Sequence, residues 1–369
     1  MKTLLSTLAV LFSTTLAQAS YVIPDGSIAV RKFNTSTVSY INNKNFLYNG
    51  EFRFWQRQVP GTLTNTQDDL YSADRWYILN SGGAVNMQGA RVAETFSASP
   101  TQYVGQFRQG DATPRQYGIA QILPNADVLT LRGQTVTFSL YARTDGTEVA
   151  NLRMGIVEWT GTADSVTSDI VDTWAATPTL IANAAFANTP ASQATTGTMA
   201  QLSVTATLGT TFNNLIVFVW TPTAEAQNDD FYVTQTQLGL GTLSKPWTSI
   251  ALPYGTDLAR CQMFYEKSYD TDVAPGTSTQ VGNMRWVSPR TITPSEGLAN
   301  DVYKVTKFKT GAQSNIWTTT GVSASVYNVS AATTHSATVE TSGQNGHALY
   351  WQIVDGNFYA WQWTAESEL

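Results

Sequence analysis

The sequence predicts a mainly β protein, a jelly-roll-like β-sandwich followed by a short helix and a second, smaller β domain. Three observations predict it. Only 13% of the 369 residues are charged, against about 25% in an average soluble chain, and Thr, Ser, Asn, Gln, Gly and aromatics fill the difference, as in short strands joined by turns. Polar and apolar side chains alternate in runs of strand length. Helical periodicity is almost absent, and Gly, Asn and Pro punctuate the chain between the runs.

Composition also sets limits on function. With 42% hydrophobic residues, including Trp 11, Tyr 16 and Phe 15, the chain has material for a sizeable core and is not a disordered polymer. Its length suits about two or three domains. Lys and Arg number 21 against 27 Asp and Glu, a net charge of -6, with no dense basic run to neutralise phosphates, so nucleic acid and anionic membrane surfaces are poor partners. The single Cys261 excludes an intrachain disulfide and a thiolate zinc site within one chain. His335 and His347 leave little material for imidazole chemistry.

Residues 1–44 read as an N-terminal arm. Lys2, the apolar run Leu4 to Leu16 and Ala17-Gln18-Ala19 give residues 1–19 the pattern of a secretory signal peptide, the run being too short for the roughly 20 residues that span a bilayer. An uncleaved anchoring arm is the other reading. Pro24-Asp25-Gly26 and Asn42-Asn43 mark turns in the linker that follows.

Residues 45–254 read as the sandwich. Thr135 to Ala142 and Leu202 to Leu208 alternate, each with one face buried; Leu215 to Trp220 is continuously apolar, as in a strand buried on both faces; Asp230 to Leu240 alternates again. Trp174 to Thr198 shows no period and reads as a surface insertion. Residues 255–272 hold the helix: Thr256 can cap it, Leu258, Cys261 and Tyr265 fall at i, i+3 and i+7, and Asp257 and Lys267 suit its dipole. Residues 273–369 form the distal β domain, with short strands around Arg285 to Val287 and Val302 to Phe308. A hairpin is expected there, its arms Trp351 to Val354 and Phe358 to Trp363 and its turn Asp355-Gly356-Asn357.

The string Asn45-Phe46-Leu47-Tyr48-Asn49-Gly50-Glu51-Phe52-Arg53-Phe54-Trp55-Gln56-Arg57, followed by Ala73-Asp74-Arg75-Trp76, resembles the opening of a module found in many bacteriophage tail and virion proteins. The module's close is matched by Gln235 to Gly239, Trp247, Pro253-Tyr254 and Leu258 to Asp270. The ending Trp363-Thr364-Ala365-Glu366-Ser367-Glu368-Leu369 is similar to that of phage tail fibres. The resemblance covers about Asn45 to Leu369. It implies a structural virion component, a tail fibre or appendage displayed for host attachment through surface glycan, attached to other virion proteins by its arm. Fibre-like proteins of this kind also imply a homotrimer. Capsid decoration is the alternative within the virion class, and a secreted carbohydrate-binding protein is the alternative outside it.

Candidate site residues follow from side-chain chemistry. Trp55 and Trp76 offer flat faces for stacking on sugar rings, although buried aromatics more often serve a core; Trp361 and Trp363 pose the same choice in the distal domain, where outward aromatics would mark an interface. Arg57 and Arg75 suit carboxylate partners or aromatic faces. Glu51 and Asp230, with Asp229, carry oxygens of the kind a structural calcium ion takes, while capped or solvated carboxylates are the ordinary reading. His335 and His347 read as loop residues and Cys261 as a small buried hydrophobe. No HExxH, GxSxG, Walker or GxGxxG string occurs, and no spacing singles out an acid pair among Asp68, Asp69, Glu158 and Asp164. The expected protein is therefore not an enzyme and needs no cofactor.

Overall fold

A computed structural model describes residues 44–93, 101–145, 148–287, 296–353 and 357–368. The signal-like segment, the linker to residue 43 and most of the expected hairpin turn lie outside the described residues.

Two six-stranded antiparallel sheets build the sandwich. Their strands are β1 (Thr64–Thr66), β2 (Tyr77–Asn80), β3 (Met87–Ala93), β4 (Tyr103–Gln109), β5 (Tyr117–Leu123), β6 (Thr135–Thr144), β7 (Asn151–Trp159), β10 (Ala184–Phe186), β11 (Gln193–Ala194), β12 (Ala200–Thr207), β13 (Asn214–Trp220) and β14 (Asp230–Leu240), while β8 (Val171–Thr173) and β9 (Thr179–Leu180) pair with each other as a separate ribbon. The first sheet runs β1-β3-β4-β14-β6-β12; the second runs β10-β7-β13-β5-β2, with β11 also on β7. The expected fold class holds.

β13 shows why the periodic reading works. Leu215, Val217 and Val219 enter the core between the sheets with Phe107, Phe138 and Phe231, while Ile216, Phe218 and Trp220 enter a second core on the opposite face. A strand apolar at every position has both faces covered. The segment Trp174 to Thr198 lies at the surface, as expected of an insertion, and covers that second core with half-buried side chains. Trp174 meets Phe218 edge-on at 6.0 Å, Phe186 stacks on Trp220 at 5.5 Å, and β10 and β11 pair with β7. The segment lacks a period because it contributes single side chains to a face already built by other strands.

Among the described residues the α-helices are α1 (Asn125–Val128), α2 (Trp247–Ile250) and α3 (Tyr254–Gln262). α3 begins after Pro253, not at Thr256, and stops before Tyr265. Residues Tyr265–Lys267 instead form strand β15. Tertiary hydrogen bonds decide this: the buried Glu266 carboxylate accepts from the backbone of Lys304 at 2.8 Å and from Lys307 Nζ at 2.6 Å, and Lys267 Nζ donates to the carbonyls of Gln56 (2.8 Å) and Thr271 (2.9 Å). A continued helix would leave these buried charges without partners.

A third sheet follows, built from β15 with β16 (Met284–Val287), β17 (Glu296–Val302), β18 (Gln313–Trp317), β19 (Ser325–Asn328), β20 (Thr333–Ser342), β21 (Gly346–Gln352) and β22 (Phe358–Glu366). Its order is β15-β22-β19-β20-β21-β17, with β16 and β18 also on β22. Two expectations fail here. Residues 303–308 are a loop after β17, held by Tyr303 N donating to Asn345 O and Phe308 N to Met263 O. β21 and β22 are not a hairpin, since β21 pairs with β17 and β20 while β22 pairs elsewhere. Their aromatics meet through ring contacts instead, Trp351 lying 5.3 Å from Trp361 and 5.7 Å from Tyr359. Residues Asn45–Leu369 form one compact unit.

Candidate functional site

The motif residues of the sequence converge on a buried joint between the sandwich and the third sheet. Asn49, in the left-handed region at φ 49, folds the opening loop by donating from Nδ2 to Phe54 O (2.9 Å) and Asp74 O (3.1 Å) and accepting from Phe54 N. Gln56 then bonds Asp74 through Nε2 and through its backbone N–H. Arg57 pairs with Glu366 at 3.2 Å and Glu368 at 2.9 Å and lies 3.9 Å over the Tyr265 ring. Arg75 pairs with Glu368, donates to Ile122 O at 2.6 Å and lies 3.6 Å over the Phe264 ring. The opening strings and the terminal string are two halves of one latch.

This placement corrects the aromatic expectations. Trp55 and Trp76 are 0% exposed, Trp361 2% and Trp363 1%. Trp55 stacks on Phe107, Trp76 leans on Phe52, Trp361 Nε1 donates to Asp301 at 2.7 Å, and Trp363 meets Tyr303 and His347. Their faces are spent on protein, because each sits on a strand or loop covered on both sides, and no sugar can stack there.

The proposed metal residues are corrected too. Glu51 accepts from the Trp247 indole and pairs with Arg53. Asp230 takes Arg108 at 2.6 Å and Gln106 Nε2 at 2.6 Å. Glu51 is taken up by an indole and a guanidinium, and Asp230 Oδ2 by a guanidinium and an amide while its Oδ1 is buried without a hydrogen-bond partner; among the described residues no three His, Cys, Asp or Glu side chains gather to hold an ion. The histidines are not in loops: His335 lies in β20 against Tyr359, and His347 lies in β21 with Nε2 at 3.1 Å from Asp301. Cys261 is buried as expected, and burial pushes its thiol far up.

Of the acids that sequence spacing could not sort, Glu158, Asp164 and Asp68 clamp backbone N–H groups and Asp69 takes a side-chain hydroxyl. Glu158 accepts from Gly209 N, Asp164 from Asn125 N and Asn214 Nδ2, Asp69 from Ser168, and Asp68 from Asn80 N at 2.7 Å. Burial, reinforced by the charges of Asp169 and Asp69, raises the Asp68 carboxyl to about 6. A carboxyl whose folded value lies above its unfolded one, about 3.9, stabilises the fold when protonated; that contribution is complete below about pH 4 and is lost as pH rises through about 6. Asp68→Asn keeps the acceptor and is expected to add about 1 kcal/mol at neutral pH, allowing for partial exposure. It should also flatten the rise in Tm between about pH 7 and about pH 5. Thermal denaturation across that range checks it, and equal slopes in both proteins would remove Asp68 as the source.

A second feature is open to solvent. On the outward face of the first sheet a groove of about 380 Å³ is lined by Tyr141, Gln201, Gln235, Ser244, Lys245 and Trp247. A β-bulge builds it: the β14–β6 register shifts between Thr234 and Gln237, with Gln235 at φ 51. Below the bulge β14 pairs with β4; beyond it the opening segment takes over, with Thr236 N donating to Gly50 O at 2.9 Å and Phe46 N to Leu238 O. The loop after β14 is pinned as a wall, since Gln237 accepts from Lys245 N at 2.9 Å and donates to Lys245 O at 3.0 Å. Tyr141 and Gln201 face each other across β6 and β12.

The groove's lining carries hydroxyl and amide groups and one cation, Lys245. Gln235 is 3% exposed, and its Nε2 finds no hydrogen-bond acceptor. Among the described residues Lys245 Nζ has no carboxylate within ion-pair distance. Sequence reasoning assigned none of these residues to a site; Tyr141, Gln235 and Trp247 fell within runs that it quoted for other purposes. One signal was present: apolar positions in β14 are odd at Phe231 and Val233 and even at Leu238 and Leu240, and all four reach the core side. Such a change of phase requires an extra residue in the strand.

No family model matches the chain, and no curated protein matches it in sequence. Among solved structures it is similar to the enzymatically active domain of bacteriophage CBA120 tailspike protein 4, at 8% identity and TM-score 0.36 over 55% of this chain and 22% of that one. The chain thus spans about a fifth of that protein's length. It is also similar to TmCBM61, solved in complex with β-1,4-galactotriose, at 11% identity and TM-score 0.30 over 54% of this chain and 99% of that one. A third similar structure is the CBM22-1 xylan-binding domain of Paenibacillus barcinonensis Xyn10C, at 11% identity and TM-score 0.29 over 50% and 99%.

Proposed function

We propose that the protein is a non-enzymatic glycan-binding component of a phage-like virion, a tail-fibre or appendage protein that takes host-surface glycan in the groove over the β14 bulge. The observation that carries the glycan reading is the Gln235 amide, buried at the groove with an unused donor. Leaving a buried donor unmet costs about 1–3 kcal/mol, and a sugar hydroxyl meets it. Tyr141 supplies an aromatic side chain, Gln201 and Ser244 further polar groups, and Lys245 a cation. The absence of Asp and Glu from this lining supports binding over cleavage, because glycoside hydrolysis ordinarily uses two carboxyl groups.

The virion part draws on the opening and closing strings of the sequence. In that setting each groove need bind only weakly, since several copies on one particle multiply modest affinities; a homotrimer anchored through the arm is the assembly we favour. A secreted carbohydrate-binding protein is the second reading, favoured by the signal-like pattern of residues 1–19. Intact mass separates them: full-length protein recovered with particles supports the first, and a monomer in the supernatant beginning at Ser20 overturns it.

A glycan array followed by calorimetry on the best binder tests the groove. Gln235→Leu is expected to keep the fold and lose about tenfold in affinity, about 1.4 kcal/mol, and Tyr141→Ala about as much. Failure to bind any glycan, or binding that neither variant weakens, would overturn the assignment.

A further inference from the structure

We propose a second saccharide site at the free edge of the first sheet, alongside β1. Among the described residues β1 ends that sheet and pairs with β3 alone. Beside it lies a groove of about 380 Å³ lined by Arg57, Gln58, Thr64, Asn65, Leu70 and Tyr71, among others. That volume is at the lower end of small-molecule sites, about 300–1,000 Å³, and more than ten times a water's share of about 30 Å³.

Three polar atoms of the lining are buried without a hydrogen-bond partner: Gln58 Oε1, Tyr71 Oη and Arg57 Nη1. Gln58 is 6% exposed and uses its Nε2 on Thr66 Oγ1, which leaves the carbonyl oxygen over. Arg57 spends Nη2 on Glu366 and Glu368 and brings Nη1 no closer than 3.9 Å to Asp74. One acceptor, one donor and one hydroxyl therefore remain, beside Leu70, which is 50% exposed.

The chemistry selects the ligand. Asp74, Glu366 and Glu368 already outnumber the guanidinium groups of Arg57 and Arg75 here, so an added anion is not favoured. A cation would face the Arg57 Nη1 donor and only one free amide oxygen. A neutral pyranose fits, with hydroxyls that both donate and accept and an apolar C–H face for Leu70. The site shares no residue with the groove over the β14 bulge, so either can fail alone.

The test uses full-length Gln235→Leu protein and saturation-transfer NMR with D-glucose, D-galactose, D-mannose and D-xylose. At least one sugar is expected to bind, and adding Tyr71→Phe or Leu70→Glu should weaken it about fivefold or more. Because the Tyr71 hydroxyl has no partner, Tyr71→Phe should leave Tm unchanged or raised. No binding by the Gln235→Leu protein, or binding that both added variants leave unchanged, overturns the edge site. Identical binding by the parent and Gln235→Leu proteins, with both added variants effective, supports the edge site and counts against the groove over the bulge.

Discussion

Glu368→Gln is expected to destabilise the unit Asn45–Leu369 by about 3–5 kcal/mol, the range for removing one partner of a buried ion pair. The Arg75 guanidinium is wholly buried, and its Nε already lacks a partner; Glu368 is its one carboxylate among the described residues. The neutral amide would keep the shape and one acceptor but leave Arg75 without a carboxylate and Arg57 with only Glu366 and the more distant Asp74. The rings of Phe264 and Tyr265 beneath them stabilise a cation weakly, by about 0.5–2 kcal/mol each, and do not replace the lost charge.

The loss should be local before it is global, because the pair joins the sandwich to the last residues of the third sheet. Limited proteolysis is expected to cut the Glu368→Gln protein near its C-terminal strand while the sandwich survives. Urea denaturation measures the magnitude, and the double variant Arg75→Met with Glu368→Leu should recover much of the loss, since apolar replacement of a whole buried pair is often neutral or better. A loss below about 1 kcal/mol for Glu368→Gln would mean that water reaches the pair and that the latch is a surface bridge.

The latch shows what was legible in the sequence and what was not. Strands β12 and β13 were readable because their side chains record burial at each position, one-sided in β12 and two-sided in β13; β6 and β14 were readable as strands, but the expected open face is covered, Thr137, Ser139, Thr234 and Thr236 all being buried. The motif strings were readable as a unit but not in their role. Trp55, Trp76, Trp361 and Trp363 have the same composition whether they stack on sugars or on Phe107 and Tyr303, and the difference lies in partners far off in the chain. The end of α3 was missed for the same reason: Glu266 and Lys267 suit a helical last turn locally, and their strand conformation follows from Lys307 and the Gln56 carbonyl. The groove side chains Gln201 and Gln235 look like any outward position of an alternating strand. Only the phase change in β14 separates one of them from the rest.

Gly50→Ala is expected to have the second large effect, and it ties the opening string to the groove. A Cβ at Gly50 would lie 2.5 Å from Thr236 O and 2.8 Å from the Trp247 ring, nearer than real Cβ atoms stand. The carbonyl cannot retreat, because the Gly50 carbonyl itself accepts from Thr236 N at 2.9 Å and Asn45 Nδ2 donates to Thr236 O at 3.0 Å. Trp247 cannot retreat either without giving up the Glu51 carboxylate. The added methyl should cost about 2–4 kcal/mol, above the usual cost of overpacking because backbone is involved, and should shift the bulge that places Gln235. Affinity for the groove's glycan is then expected to fall at least as far as in Gln235→Leu. Glu51→Gln is the control: it keeps an acceptor for the indole and loses the Arg53 pair, so binding should change less than threefold, about 0.6 kcal/mol. Parental stability and binding in the Gly50→Ala protein would show that the bulge and Trp247 move freely of the opening string, and Gly50 would then be only a turn residue.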